Sequence, residues 1–201
     1  MAGTLETVGR SDVRTVAAVL SRAFRDDPVM AYLLPRERDR RRIPALFAAT
    51  SRWYYMHHEA TEIVWDGGEV RGAAVWAPPG QWSPSLGRQL LALPSVSNAL
   101  RSRTGAASAL YAASAKVHPL APHWYLAAIG VDPVAQGNGY GGALLRSRLT
   151  RCDEVGAPAY LEASKHANIA YYERFGFEVH EKITVQDGPT TWGMWREPGA
   201  G

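Results

Sequence analysis

Apolar positions change their period several times along the chain, and each change marks an element. From Asp12 to Arg25 they recur at helical spacing, with Val13, Val16, Ala17, Leu20 and Phe24 on one face and Asp12 suited to the cap. Pro28 ends that helix, because the residue before a proline is driven out of the helical region. A second helix is predicted from Ile43 to His58, with Leu46, Phe47, Thr50, Trp53 and Tyr54 on one side. TEIVW (61–65) and EVRGAAVWAP (69–78) read as a hairpin around Asp66-Gly67-Gly68. Residues 78–122 are rich in Pro, Ser, Ala and Gly, with helices predicted near 86–93 and 105–116, and read as a connection or lid.

The second half is more sharply punctuated. HWYLAAIGV (123–131) is a nearly continuous apolar run, as expected of a central strand buried on both faces, and Asp132-Pro133 stops it. A helix over 139–155 is closed by Gly156 and Pro158, PAYLEAS (158–164) is a strand, and a short helix covers 168–175. FEVHEKITV (177–185) and TTWGMWR (190–196) are strands joined by a turn at Asp187-Gly188-Pro189. The order implies one domain over residues 1–201, of α/β (α+β) class, with helices layered on a mixed sheet.

Composition narrows the class. With 46% hydrophobic and 20% charged residues in 201, extensive disorder is excluded. One cysteine, Cys152, excludes a disulfide framework and a multi-cysteine metal site, and its place in a helix makes it a passive thiol. The first residues show no apolar leader region, and Pro78, Pro79 and Pro84 interrupt the longest uncharged stretch, so a soluble, cytoplasmic protein without a membrane contact is expected. Net charge is +3, and the basic run from Arg36 to Arg42 is interleaved with acids, which reads as a solvated loop or helix start, with an anion or nucleic-acid contact as the alternative. No nucleic-acid motif accompanies it. His57-His58-Glu59 lacks the i, i+4 spacing of helical metal ligands, so no metal is expected.

The strongest chemical signal is Gln136-Gly137-Asn138-Gly139-Tyr140-Gly141-Gly142, between a buried strand and a helix. Glycines there let the backbone turn tightly and approach a ligand, and the helix start offers amides and a favourable dipole to an anion such as pyrophosphate. A turn packed for its own sake is the alternative. A P-loop is excluded, since no Gly-Lys-Ser/Thr follows. Gly137, Gly139 and Gly142 match the dinucleotide fingerprint, with Glu162 at the ribose-binding distance; residues 132–136 between strand and glycines, and the short chain ahead, argue against it.

The spacing Gln136-x-x-Gly139-x-Gly141 resembles the acetyl-CoA pyrophosphate loop of the GCN5-related N-acetyltransferases. The likeness covers His123 to Arg196 well and the first helix and hairpin more loosely, and Tyr171-Tyr172-Glu-Arg-Phe-Gly-Phe177 is a second mark of that family. It implies a mixed, mostly antiparallel sheet with a splayed parallel strand pair ending near Val131 and Ser164, flanked by helices. It also implies transfer of acetyl from acetyl-CoA to a primary amine by direct attack in a ternary complex. Ile129, Gly130 and Val131 would hold the pantetheine arm, Gln136, Gly137, Asn138, Gly139, Tyr140, Gly141 and Gly142 the pyrophosphate. Asn168 would hold the arm or cap its helix.

Tyr172 takes the role of proton donor to the leaving thiolate, unless Tyr171 faces the cofactor instead. Glu162 and His123 are candidates for the base, with a purely structural role as the alternative for each. Asp26 and Asp27 follow the first helix, where they either shape a cation-attracting acceptor pocket or serve turn and cap. An antibiotic- or aminonucleoside-like small amine is the expected acceptor, the more so if Trp76, Trp82 and Trp124 close an aromatic pocket. A protein lysine or N-terminal amine, and a non-catalytic acetyl-CoA sensor, are the competing readings. A monomer or a homodimer is expected.

Overall fold

The computed structural model describes residues 3–200. Strands β1 (Thr4–Val8), β2 (Thr61–Asp66), β3 (Glu69–Ala77), β4 (Trp124–Val131), β5 (Ala159–Ala163), β6 (Glu178–Thr184) and β7 (Thr190–Arg196) form one seven-stranded sheet in the order β1-β2-β3-β4-β5-β7-β6. Every pairing is antiparallel except β4 with β5. The mixed, mostly antiparallel sheet expected from the sequence is thus what forms.

Helices cover both faces. On one lie α1 (Val13–Ala23), α2 (Pro28–Leu33), the single turn α3 (Glu37–Arg40), α4 (Ile43–Thr50), α5 (Leu86–Leu100) and α6 (Thr104–Val117); on the other lie α7 (Tyr140–Glu154) and α8 (Ile169–Glu173). Alternation along the strands divides the core accordingly. Ile63, Ala73 and Val75 pack with Val16, Leu20, Leu34 and Phe47, whereas Val64, Ala74 and Trp76 pack with Leu144, Leu145 and Phe177. Gly130 lets α1 lie close on β4: a Cβ there would stand 2.6 Å from that of Ala23. Buried ion pairs fasten α7, with Arg148 bonded to Glu62 of β2 at 3.0 Å and Arg196 of β7 bidentate to Asp153.

Several expectations shift. The N-terminal strand β1 is an exposed edge that its mostly polar pattern concealed. The helix expected over 43–58 changes pitch, passing from α4 into a π-helical turn at Ser51–Tyr55 and a 3₁₀ turn at Met56–His58. Pro94 lies inside α5, which continues to Leu100. Among the described residues no helix is long and apolar enough to cross a membrane.

Candidate active site

The parallel pair β4/β5 opens into a fork. Pairing covers only Trp124↔Ala159, Tyr125↔Tyr160 and Leu126↔Leu161. Immediately beyond, β4 carries a bulge: Val75 pairs with Ala128 and Trp76 with Leu126, leaving Ala127 without a partner in β3. A bulge bends its strand, and this one coincides with the point where β4 leaves β5. Asp132 donates its N–H back to the Arg71 carbonyl on the β3 side at 2.7 Å. Backbone groups alternate sides along a strand, so Ile129 and Val131 present theirs to the open side of the fork. Gly130 faces α1 and has a packing role there.

Past the fork, Asp132 caps a 3₁₀ turn and pairs with Arg22 of α1 at 2.6 Å, which anchors the loop. Gln136 bonds the Val131 carbonyl at 3.3 Å and Asn138 the Ala135 carbonyl at 3.0 Å, so both side chains shape the turn. Gly137 and Gly139 have φ of +84° and +81°, a region that strains any residue with a Cβ. Residues 136–139 are exposed, and no side chain caps α7, leaving its first N–H groups available to an anion. Tyr140 contributes backbone only, because its ring is buried and its hydroxyl donates to Asp66 at 2.7 Å. Gly142 packs against Phe175 and Arg146.

The two tyrosines of α8 diverge. The Tyr171 hydroxyl lies 2.8 Å from where a Cβ on Gly141 would be, beside Val131, and Arg174 sits over its ring. Tyr172 is buried against Phe177, and burial, with smaller contributions from Tyr171 and Asp27, pushes its phenol above the ordinary range. Asn168 makes no capping bond with its side chain. Asp27 is buried; it accepts from the N–H groups of Val29 and Met30 and from the Ser164 hydroxyl at the end of β5. Asp26 lies on the surface, paired with Arg40 at 3.1 Å. The pair of acids expected to attract a substrate is thereby divided: one carboxylate is a helix cap and the other a surface ion pair.

Glu162 is the first β5 residue beyond the last rung with β4, so its carboxylate stands at the mouth of the fork. It accepts from the Ser114 hydroxyl at 2.7 Å, and His118 Nδ1 lies 3.9 Å away. Tyr55, Tyr125 and Tyr160 surround it, their phenols raised chiefly by burial and next by its negative charge. Trp82 stacks on His118 at 3.8 Å and on Tyr111 at 5.9 Å. The segment 78–122 therefore supplies walls of the site. Of the expected aromatic pocket only Trp82 takes part. Trp76 is fully buried in the opposite core, and Trp124 packs against that core under Arg148.

His123 is a link in this cluster and not an exposed strand-end base. It is buried, with Nδ1 2.7 Å from the Ala121 carbonyl and Nε2 3.0 Å from Nε2 of His118. A carbonyl only accepts, so the His123 proton sits on Nδ1, and its bare Nε2 must accept from His118 Nε2–H. The Nδ1 of His118, buried and without a hydrogen-bond partner, faces Glu162. The Glu162 carboxylate and His118 Nδ1 thus line a polar gap that a guest with hydrogen-bonding groups can bridge. Sequence reading missed His118, Ser114, Tyr55 and Tyr125; the pair of histidines flanking the proline bend at 118–123 was the available signal. Cys152 is buried, its thiol pushed up to about 11 by that burial, and plays no part here.

Residues 23–177 match the acetyltransferase (GNAT) family. An uncharacterised N-acetyltransferase of Schizosaccharomyces pombe is 29% identical over 185 residues, 88% of this chain and 74% of that protein. A Corynebacterium glutamicum structure described as histone acetyltransferase HPA2 and related acetyltransferase superposes with a TM-score of 0.76 at 26% identity, covering 99% of this chain and 98% of that one. Arylalkylamine N-acetyltransferase 2 of Aedes aegypti shares the fold, with a TM-score of 0.68 at 12% identity over 98% and 99% of the two chains.

Proposed function

The chain belongs to the acetyltransferase (GNAT) family, and from that premise we propose that it acetylates the primary amine of a small molecule, which attacks directly in a ternary complex. The observation that carries the acceptor side is the Glu162 carboxylate at the mouth of the fork, among aromatic rings and 3.9 Å from the unpartnered Nδ1 of His118. A carboxylate within aromatic faces favours a cationic or N–H-bearing guest. The competing reading, a protein amine, draws on the histone-acetyltransferase description of the C. glutamicum relative. The half-buried tyrosines and the Trp82 stack favour a compact guest over an extended peptide.

Acetyl-CoA, when bound, supplies an activated thioester carbonyl. Ile129 and Val131 hold the pantetheine arm through their outward backbone groups, as an added strand would be held. The N–H groups at the start of α7 take the pyrophosphate charge, and Asn168 is free to bond the arm. An N–H at Ile129 would meet the developing oxyanion. Glu162, with His118 beside it, would take the proton that the ammonium form of the amine sheds before attack. Tyr172 donates a hydrogen bond to the departing sulfur. Since burial holds its phenol above the ordinary range and a thiol titrates near about 8.5, the proton that sulfur finally keeps would be the second one, lost by nitrogen as the amide forms, directly or relayed through Tyr172.

The likeness of LEAS (161–164), YYERFGF (171–177) and the C-terminal segment from Gly188 to that of puromycin N-acetyltransferase supports an aminonucleoside as one acceptor. Asp27 stands before Pro28 where that enzyme is expected to carry tyrosine, and here its buried carboxylate caps a helix. The test is thiol release from acetyl-CoA across puromycin, arylalkylamines, polyamines and lysine peptides, with Tyr172→Phe as control. Release with one small amine, slowed in the variant, is expected. Faster release with a lysine peptide would move the assignment to a protein substrate; acetyl-CoA binding without release on any amine would favour a sensor.

A further inference from the structure

A second concave site lies away from the fork. A cavity of about 350 Å³ is lined by Arg36, Arg38, Arg41, Arg42, Arg101 and Arg103 over a floor of Leu34 and Leu100. The run at 36–42 reads in sequence as a solvated face, its charges offset by its own acids. The fold changes that balance by bringing Arg101 and Arg103, from the junction of α5 and α6, onto the same cavity. Of the acids in the run, Glu37 pairs with Arg25 and Arg40, and Asp39, which also lines the cavity, is neutralised by its pair with Arg42. Among the described residues, Arg36, Arg38, Arg41, Arg101 and Arg103 have no carboxylate partner.

Two further features set this cavity apart from a merely basic surface. Arg103 is fixed by donating to the Tyr32 carbonyl at 2.7 Å and by lying over the Tyr32 ring, yet its Nε is buried with no partner. Arg101 has φ +55° and ψ −121°, a region ordinarily left to glycine, and so places a strained backbone at the cavity wall. Arginines without carboxylate partners gathered around one hollow raise its positive potential, and an anion held there can be met by planar, paired hydrogen bonds.

We infer that this cavity is a binding site for a small, multiply charged phosphate-bearing anion. Its volume lies at the lower end of small-molecule sites and suits an oligophosphate group better than a nucleic-acid duplex. It is separate from the glycine turn. Leu34 and Leu100 belong to the core on the α1 face, whereas Ala135 and Tyr140 belong to the core on the α7 face.

The experiment is isothermal titration of tripolyphosphate into the full chain, with and without saturating coenzyme A to block the glycine turn. It is repeated on Arg38→Glu/Arg41→Glu, which alters two exposed side chains remote from the core. Saturable binding that persists with coenzyme A present, weakens with added salt and falls at least tenfold in the variant is expected. Equal binding by wild type and variant, or no binding by a folded wild type, would overturn the assignment. So would tighter binding of a single-stranded oligonucleotide than of tripolyphosphate, which would move it to a nucleic-acid contact. The comparison of wild type with variant stands whether or not the chain turns over acetyl-CoA, so its outcome is independent of the function proposed above.

Discussion

The two sides of the fork are built on different principles. Toward α7 the groups on offer are backbone N–H and C=O, contributed by Ile129 to Gly142, with side chains serving only to hold the turn. Toward α6 the groups are side chains, and they come from the π-helical turn, the 78–85 loop, α6, β4 and β5. One side asks only for a conformation; the other asks for a set of residue types in contact. A backbone site tolerates change at its side chains provided φ is respected, whereas a side-chain site fails when a single proton acceptor is removed.

The largest expected effect tests that contrast directly. Glu162→Gln keeps the shape and the Ser114 bond but removes the acceptor facing His118. Loss of a general base lowers turnover by about 10²–10⁴-fold. Steady-state thiol release should show a drop of at least about a hundredfold, with acetyl-CoA affinity by calorimetry unchanged. A variant retaining most of its turnover would show that Glu162 is a structural carboxylate.

Next is Gly130→Ala, at the one position that both sides share. The added methyl would meet the Ala23 Cβ at 2.6 Å and crowd Leu20 and Phe24 at 3.3 Å, so α1 must move. Overpacking of this kind costs about 1–3 kcal/mol, which urea unfolding would register as a lower midpoint. Because α1 also carries Arg22, which anchors the glycine loop through Asp132, acetyl-CoA affinity should fall together with stability. Unaltered stability would mean that α1 is not seated on β4 as described.

Smaller again is Gly139→Val. A β-branched residue held at φ +81° costs about 1–2 kcal/mol, equivalent to roughly tenfold in an equilibrium. Acetyl-CoA should bind about tenfold more weakly while the KM for the amine stays put. A rise in the amine KM alone would reverse the assignment of the two sides.

The same contrast explains which parts were legible in sequence. The glycine turn, the strand before it and the helix after it lie within consecutive residues, and local rules for φ, helix starts and apolar runs suffice to read them. The hairpin around Gly67-Gly68 yields to the same reasoning. Glu162 was visible as a strand-end acid, but its partners are not local: Ser114 is 48 residues away, and Tyr55 approaches only because the helix after α4 changes pitch. Three tryptophans looked equivalent in sequence, yet strand alternation sends Trp76 and Trp124 to the opposite core and leaves Trp82 to a loop. Asp26 and Asp27, adjacent in sequence, part company because Asp27 is the cap of a helix too short for its pattern to announce.

The smallest expected effect concerns acid. Burial lowers the pKa of His123, reinforced by the neighbouring His118 and partly offset by the bond to Ala121. Between the ordinary imidazole value of about 6.5 and the lowered folded value, the unfolded chain binds the proton more readily, so folding stability falls as pH falls through that window. Above pH 6.5 or so the full contribution is present. Protonated His123 would also turn Nε2–H against His118 Nε2–H at 3.0 Å, two donors in place of a donor and an acceptor, and the chain of bonds behind His118 would break. His57, lowered to about 4 mainly by burial, adds to the same acid slope from the other end of this face. The melting temperature should therefore drop by a few degrees from pH 7 to pH 5.5, and the drop should shrink in His123→Asn, where the contributions of His57 and His58, both lowered chiefly by burial, remain. An equal slope in both proteins would mean that the histidine pair is not joined through Nε2. The bond to His123 that holds His118 beside Glu162 would then fall, and the acceptor side of the fork would have to work with the carboxylate alone.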